Sequence, residues 1–291
     1  MRIGLHALGI GAGARRSVVD AVARAAEDAG FSTLWAGEHV VMVDRPGSRY
    51  PYAADGRIPV PTVSDWLDPL VCLSFAAAAT RTITVGTGIL LLPEHNPLLV
   101  AKQAATLDVL CHGRLVLGVG IGWSAEEFAA LGVPFSGRAA RTVEYVEAMR
   151  TLWREDVATF AGRFTGFEAV RMYPKPDRGR RIPIIFGGNS EAALSRVAAH
   201  GDGWYGFGVP GLSGLRECMA TLRAHCSRAG RDMTQLYLAA AVQSCEPHHR
   251  SELAELGVDE LVVVAEPPPD PDAATDWVAG LADRWLRGQI H

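Results

Sequence analysis

The chain has 291 residues, of which 48% are hydrophobic and 21% are charged, and its formal net charge is −4. This composition excludes a disordered chain, which would need few hydrophobic residues and a large net charge, and the lack of a basic stripe argues against nucleic-acid binding. No run of about 18 apolar residues is free of charges and helix breakers, so no membrane-spanning helix is predicted.

Short β-branched runs alternate with longer amphipathic runs along the whole chain. The first 13 residues carry one arginine and a short apolar run, which predicts a strand and not a signal peptide. The predicted strands are Arg2–Leu8, Thr33–Ala36, Ile83–Leu91, Leu115–Gly120, Ile182–Phe186, Gly203–Phe207, Leu236–Val242 and Glu260–Val264. The predicted helices are Ser17–Gly30, Asp68–Ala79, Leu98–Cys111, Arg141–Arg154, Glu191–His200, Leu212–Ala229, Arg250–Leu256 and Ala273–Arg287.

Eight strands alternating with helices predict parallel pairing through right-handed crossovers. Because eight such units close into a barrel in a chain of this size, we predict a single α/β domain over residues 1–291, a (β/α)8 TIM barrel. An open doubly wound sheet is the alternative. Two insertions interrupt the alternation, Val40–Ser64 after the second strand and Val157–Arg181 before the fifth, where alternating aromatic residues predict a small hairpin.

The active site of such a barrel lies at the carboxyl ends of its strands, in the loops that follow them. At the end of the fifth strand, Gly187-Gly188-Asn189-Ser190 forms a glycine-rich turn before a helix. Backbone N–H groups and the helix dipole favour an anion there, and glycines allow its close approach, so this turn is a predicted phosphate site. The alternative is an ordinary tight turn in which Asn189 or Ser190 caps the helix.

Glu38 and His39 end the second strand side by side. Adjacent strand residues point to opposite faces, so we expect one of the two to face the barrel mouth. Histidine can donate or accept a proton near neutral pH, which makes this pair a candidate for acid–base chemistry. The alternative is a structural Glu–His pair that fixes the long insertion.

Glycines are also dense at the ends of the third strand, around Gly88, and of the fourth strand, Gly118-Val119-Gly120-Ile121-Gly122-Trp123. Glycine at a strand end permits a flat ring to lie close to the backbone, although a strained turn would explain the same pattern. A competing G-x-G-x-x-A signal at Gly9–Ala14, with Glu38 after the next strand, would indicate a dinucleotide-binding sheet. The glycines there lie too far from the helix start to favour that interpretation.

No metal site is predicted. The five cysteines are scattered without C-x-x-C spacing, which is typical of free thiols in a cytoplasmic protein. The adjacent His248 and His249 have no carboxylate cluster beside them and are interpreted as an exposed helix start, and His95 is of interest only because it lies in the loop after the third strand.

Several segments stand in a characteristic order and spacing along the chain. They are Ala29-Gly30-Phe31, Leu34-Trp35, Glu38-His39, Gly86-Thr87-Gly88-Ile89, Asn96-Pro97, Ala101-Lys102-Gln103, Gly113-Arg114-Leu115, Gly118 to Trp123, Ile182-Pro183, Gly187 to Ser190 and Ala199 to Trp204. Together they resemble the bacterial luciferase-like family of flavin and deazaflavin oxidoreductases over nearly the whole chain. The branch that they resemble uses the deazaflavin coenzyme F420.

This resemblance implies that the cofactor ring lies over a bulge at Gly88-Ile89, with a cis peptide bond there, and close to Gly120 and Trp123. It implies a cofactor phosphate on Gly187, Gly188, Asn189 and Ser190. It also implies that His39, next to Glu38, assists hydride transfer as acid or base. Relatives that dehydrogenate sugar phosphates or alcohols carry a glutamate where this chain has Trp123, so a reductase, or oxidation of a different apolar substrate, is expected.

Two cofactors remain open, because F420 and FMN share ring and phosphate sites. Arg45, Arg49 and Arg57 lie on the face where the anionic polyglutamate tail of F420 would need them, whereas Arg178, Arg180 and Arg181 precede the fifth strand on the opposite face. The alternative is an FMN-dependent monooxygenase that uses oxygen and a separate reductase, and a barrel that only binds flavin is a third possibility. The resemblance further implies a small-molecule substrate and a homodimer.

Overall fold

The computed structural model describes residues 1–177 and 179–288, and Arg178 therefore lies outside the described residues. The strands are β1 (Arg2–Leu8), β2 (Thr33–Ala36), β3 (Thr84–Thr87), β4 (Leu115–Val119), β5 (Ala158–Ala161), β6 (Gly166–Val170), β7 (Ile184–Gly187), β8 (Gly203–Val209), β9 (Tyr237–Val242) and β10 (Glu260–Val264). The α-helices are α1 (Arg16–Ala29), α2 (Pro69–Ala79), α3 (Pro97–Leu110), α4 (Ala125–Ala130), α5 (Arg138–Arg154), α6 (Glu191–His200), α7 (Gly211–Arg228), α8 (Arg250–Glu255) and α9 (Pro271–Ala282).

Eight of these strands close into a parallel barrel in the order β1-β10-β9-β8-β7-β4-β3-β2. β1 closes it by pairing with β10 on one side and β2 on the other, and both pairings are parallel. The predicted (β/α)8 TIM barrel is confirmed, and the open doubly wound sheet is excluded. The G-x-G-x-x-A segment forms a short 3₁₀ turn, Gly11–Ala14, instead of a dinucleotide-binding helix start.

The residues that the sequence offers as helix caps lie at the ends of α1 and α3. Gly30 ends α1 in the left-handed conformation, with φ +93°, and its N–H donates to carbonyls of the last turn. Asn96 caps α3 by accepting from the N–H groups of Leu98 and Leu99, and Pro97 occupies the first helical position.

Both predicted insertions are present. β5 and β6 form the antiparallel hairpin, with Phe160 stacked on Phe167 at 5.9 Å between ring centroids. Residues 37–68, all of them described, contain neither helix nor strand between β2 and α2; we call this segment the mouth insertion. Arg180 and Arg181 form ion pairs with Asp156 and Asp202 away from the barrel mouth.

Three predicted boundaries differ from the observed ones by more than two residues. The third strand ends at Thr87 and not at Leu91, because the backbone leaves the sheet at the Gly88-Ile89 bulge and continues in a 3₁₀ turn, Leu92–Glu94. The helix predicted from Arg141 begins at Arg138, and the short helix α4 before it was not predicted. The last helix ends at Ala282 and continues as a π-helical turn, Asp283–Arg287.

The barrel interior is filled by large side chains in its middle and sealed by a carboxylate at its amino-terminal end. Trp35 and Tyr205 are fully buried there, with ring centroids 4.8 Å apart. Below them Glu260, also fully buried, accepts hydrogen bonds at 2.6–2.8 Å from hydroxyl and indole donors, namely Ser32, Thr33, Trp35 and Tyr237. This closure leaves the carboxyl ends of the strands as the open face. Among the described residues, no helix is both long and apolar enough to cross a membrane.

Candidate active site

The predicted cofactor-binding residues Gly88, Ile89, Gly120 and Gly187 lie together at the barrel mouth, around the side chain of Ile89. The Gly88-Ile89 peptide bond is cis, as the resemblance implied, and the bulge is tied to β4 by the hydrogen bond from Leu90 N to Gly118 O. Ile89 lies against Gly120 and Gly187, because a Cβ at these glycines would come within 1.9 Å and 2.9 Å of Ile89 Cδ1. A side chain at either glycine would therefore displace the end of the Ile89 side chain.

The turn after β7 contains the helix cap that one interpretation of the sequence expected, and the phosphate site stays a prediction. Gly188 adopts φ +105°, and Ser190 caps α6 through a hydrogen bond from Ala193 N to its Oγ at 3.3 Å. Asn189 donates from Nδ2 to Phe207 O at 2.8 Å, while its Oδ1 is buried and has no hydrogen-bond partner in the part of the chain that the structure describes. A helix N-terminus with an unused side-chain acceptor beside it can hold a phosphorylated, hydroxylated chain.

His39 is held by a residue that sequence reasoning did not find. Its Nδ1 lies 2.7 Å from Oε2 of Glu127, which projects from α4, and both side chains are buried, with exposed fractions of 7% and 1%. Oε1 of Glu127 accepts from Val40 N at 2.7 Å. The edges of Trp66 and Trp123 flank the imidazole, with centroids 4.8 Å and 5.7 Å away.

Glu38 does not pair with its neighbour His39. Its carboxylate accepts from Leu91 N at 2.5 Å and lies 3.0 Å from Nε2 of His95. Burial lowers the pKa of His95, but the hydrogen bond and charge of Glu38 outweigh burial and leave that pKa above its ordinary value. Glu38 thus ties the end of β2 to the loop after β3. The structural alternative, a Glu38–His39 pair that fixes the insertion, is wrong, because the two side chains have different partners.

Glu94 is a third carboxyl group in this region and was not singled out from the sequence. It is 8% exposed, and neither of its oxygens has a hydrogen-bond partner among the described residues. Burial, and then the charges of Glu127 and Glu38, raises the pKa of Glu94 to about 9. Glu94 is consequently protonated at neutral pH.

A second histidine, His6, lies inside the barrel at its mouth. Its Nδ1 is 2.7 Å from the hydroxyl of the fully buried Tyr205, and burial lowers the pKa of His6 to about 4. A Cβ at Gly88 would lie 3.0 Å from the Tyr205 hydroxyl and 3.3 Å from His6 Cε1, so the pair sits directly beneath the bulge. A histidine in the apolar pattern of β1 carries no sequence signal that separates it from a core residue.

The mouth insertion covers this face with aromatic rings. Tyr50 contacts Trp123 at 5.3 Å and Tyr52 at 5.4 Å between ring centroids, and Tyr52 contacts Phe207 at 5.4 Å. Glu126 at the start of α4 anchors the insertion by accepting from its backbone N–H groups. Three arginines of the insertion are exposed, namely Arg45, Arg49 and Arg57.

No group of histidine, cysteine, aspartate and glutamate side chains in the described part of the chain is arranged to hold a metal ion. The adjacent His248 and His249 form part of a 3₁₀ turn, in which His249 Nδ1 accepts from Glu246 N at 3.0 Å. All five cysteines are free thiols.

Comparison with known proteins places this site in a family. An uncharacterized protein of Mycobacterium tuberculosis is 35% identical over 263 residues, which cover 90% of this chain and 92% of that protein. The FMNH2-dependent dimethylsulfone monooxygenase of Pseudomonas fluorescens is 35% identical over 150 residues, which cover 50% of this chain and 40% of that enzyme.

The structure of the coenzyme F420-dependent tetrahydromethanopterin reductase from Methanopyrus kandleri has the same fold, with a TM-score of 0.74 at 15% identity and 98% of each chain covered. The model of the luciferase-like monooxygenase family matches residues 5–264. This chain therefore belongs to the luciferase-like monooxygenase family.

Proposed function

We propose that the chain is an F420-dependent oxidoreductase that transfers a hydride between the deazaflavin and a small apolar substrate. The observation that carries the choice of F420 is the set of exposed arginines on the mouth insertion, Arg45, Arg49 and Arg57. F420 ends in an anionic polyglutamate tail, whereas FMN ends at its phosphate, so only the deazaflavin has a use for cations outside the phosphate turn. The family match and the F420-dependent reductase of the same fold are compatible with this choice.

The residues present fit such a cofactor. Asn189 Oδ1 is a buried acceptor with no hydrogen-bond partner among the described residues, and it lies beside the N-terminus of α6, which suits a ribityl phosphate. The ring would lie at the Gly88-Ile89 bulge, where Gly120 and Trp123 border the mouth. When bound there, the deazaflavin supplies a two-electron hydride carrier.

The chain itself has to position the substrate and manage one proton. His39 would exchange that proton at Nε2, since its Nδ1 is engaged by Glu127. Glu38 would act through the loop that it fixes, by its bonds to Leu91 N and His95. The rings of Trp66 and Tyr50 from the mouth insertion, together with that of Trp123, would exclude water and favour an apolar substrate.

The second candidate function is an FMN-dependent monooxygenase that receives reduced flavin from a separate reductase. The match to the FMNH2-dependent dimethylsulfone monooxygenase over half of this chain favours it. It needs the same ring and phosphate sites but no cation on the mouth insertion.

We also propose a homodimer and a cytoplasmic location. Large apolar side chains are exposed on α2, at Val71 and Phe75, and on α3, at Leu99 and Leu110. An exposed apolar face of this kind is typical of a surface that a partner covers. The five free thiols are compatible with a reducing compartment, and sedimentation of the purified chain tests the dimer.

The decisive experiment is fluorescence titration of the apoprotein with F420, with the deazaflavin chromophore lacking the tail, and with FMN. The proposal predicts a Kd for F420 at or below about 1 µM, weaker binding of the other two, and at least tenfold weaker F420 binding after Arg45, Arg49 and Arg57 are all replaced by Ala. A matched variant, in which Arg223 and Arg228 on α7 are replaced, should bind F420 as the wild type does. FMN binding tighter than F420 would establish the second function, and binding of neither would refute the phosphate turn at Gly187–Ser190.

The role of His39 has its own test once a substrate is known. His39→Ala should lower kcat by about 100-fold or more while the Kd for F420 changes less than threefold. Equal loss of both would contradict a proton-transfer role.

A further inference from the structure

The imidazole of His39 is held on one side only. Nδ1 lies 2.7 Å from Oε2 of Glu127, while Nε2 has no hydrogen-bond partner among the described residues. Oε1 of the same carboxylate accepts from the N–H groups of Val40 at 2.7 Å and Val41 at 3.3 Å. Because the carboxylate acts as an acceptor throughout, Nδ1 donates to it and carries the ring proton of the neutral imidazole.

Glu127 is placed for this contact by several independent constraints. Ser124 caps α4 by accepting from Glu127 N at 3.2 Å, and the Glu127 side chain is only 1% exposed. The contact joins residues that are 88 positions apart, His39 in the segment after β2 and Glu127 on α4, which follows β4. The imidazole is further confined by the edges of Trp66 and Trp123.

Three carboxyl groups share this region, and their hydrogen bonds decide which one keeps a proton. Glu38 accepts from Leu91 N and contacts His95, and Glu127 accepts from two backbone N–H groups and His39. Glu94 has no partner for either oxygen in the described part of the chain. Like charges in a buried cluster disfavour one another, so the proton resides on the carboxyl without donors, and the raised pKa of Glu94 agrees. Both oxygens of Glu127, in contrast, accept hydrogen bonds.

We propose that Glu127 is a positioning residue, which holds His39 in the Nδ1–H tautomer so that the lone pair of Nε2 is free at the barrel mouth. This inference rests on the proposed proton transfer by His39. In that role Nε2 takes a proton from a substrate O–H or N–H, or returns it to a substrate, and the Glu127 carboxylate stabilises the imidazolium formed in between. The carboxylate touches neither substrate nor cofactor.

The test is Glu127→Gln, with Glu126→Gln as its matched control. The amide can still accept from Val40 N and Val41 N, but it presents an N–H donor to His39 Nδ1, which forces the opposite tautomer. Glu126 also binds backbone N–H groups of the mouth insertion, at Gly47 and Ser48, but contacts no histidine. The two variants therefore separate anchoring of the insertion from control of the imidazole.

The first readout is the tautomer of His39 in the apoprotein, from ¹⁵N-histidine NMR above pH 8 with His39→Gln used for assignment. We expect Nδ1–H in the wild type and in Glu126→Gln, and Nε2–H in Glu127→Gln. The second readout is acylation of His39 by diethyl pyrocarbonate, followed by peptide mass mapping. We expect acylation of His39 to be at least tenfold slower in Glu127→Gln, because its remaining lone pair faces the amide.

An Nε2–H tautomer in the wild type would overturn the proposal, and this result needs no variant to fold. Unchanged acylation in Glu127→Gln would overturn it as well. Neither readout uses a cofactor, so failure of F420 to bind would refute the proposed function and leave this test intact. With a substrate in hand, Glu127→Gln should lower kcat at least 100-fold with KM within threefold; full activity with the tautomer reversed would show that His39 transfers no proton.

Discussion

Replacing Glu94 by Gln should stabilise the folded protein at neutral pH. The pKa of Glu94 rises from 4.5 to about 9 on folding, since the side chain is buried, has no hydrogen-bond partner among the described residues and faces the charges of Glu127 and Glu38. The unfolded chain releases this proton above pH 4.5 and the folded chain retains it, so each pH unit between these limits costs stability of about 1.4 kcal/mol. At pH 7 the penalty is about 3 kcal/mol, and glutamine, which is neutral in both states, does not incur it.

The assay is urea unfolding of the wild type and Glu94→Gln at pH 5, 6, 7 and 8. The advantage of the variant should be about 1 kcal/mol at pH 5 and should grow by about 1.4 kcal/mol per pH unit. Glu168→Gln is the control, since Glu168 is exposed on β6, and its effect should not vary with pH. An advantage of Glu94→Gln that stays constant from pH 5 to pH 8, or a wild type that is more stable at pH 8, would refute the reasoning.

The remaining predictions concern the barrel interior and its glycines. Burial lowers the pKa of His6 to about 4, so the free energy of unfolding of the wild type should fall by up to about 3 kcal/mol as the pH falls from 6.5 to 4. Urea unfolding of His6→Leu should lack this contribution, and the same pH dependence in variant and wild type would contradict the prediction. Glu260→Ala leaves buried donors without an acceptor and should cost at least about 3 kcal/mol by urea unfolding, whereas a loss below about 1 kcal/mol would mean that water replaces the carboxylate. Gly118→Ala places a Cβ 2.1 Å from the carbonyl oxygen of Thr87 and should lower the free energy of unfolding by about 2 kcal/mol or more. Gly280→Ala lies on the exposed side of α9, where a Cβ would meet no described atom within 4 Å, and should raise the free energy of unfolding by about 0.5–1 kcal/mol. Similar effects at both positions would be inconsistent with the packing.

Elements with local chemical causes could be predicted from the sequence. The helix ends at Gly30 and Asn96, the hairpin between α5 and β7 and the number of barrel strands all follow from periodicity, caps and turn residues within a few positions of each other. The glycine-rich turn Gly187–Ser190 was likewise visible, because glycine marks a backbone that must approach something closely. The bulge at Gly88-Ile89 was expected only from the family resemblance, since the residue pattern alone predicted a strand up to Leu91.

Partners of the polar side chains could not be predicted in this way. His39 and Glu127 are 88 residues apart, Glu38 and His95 are 57 apart, and the buried pair at the mouth, His6 with Tyr205, spans 199 positions. The sequence placed Glu38 beside His39 and suggested that they act together, yet both lie beyond the end of β2 and contact different partners, His95 and Glu127. Only closure of the barrel decides which loops meet at its mouth, and burial there decides which carboxyl group keeps its proton, because both depend on groups that are distant in the chain and near in space.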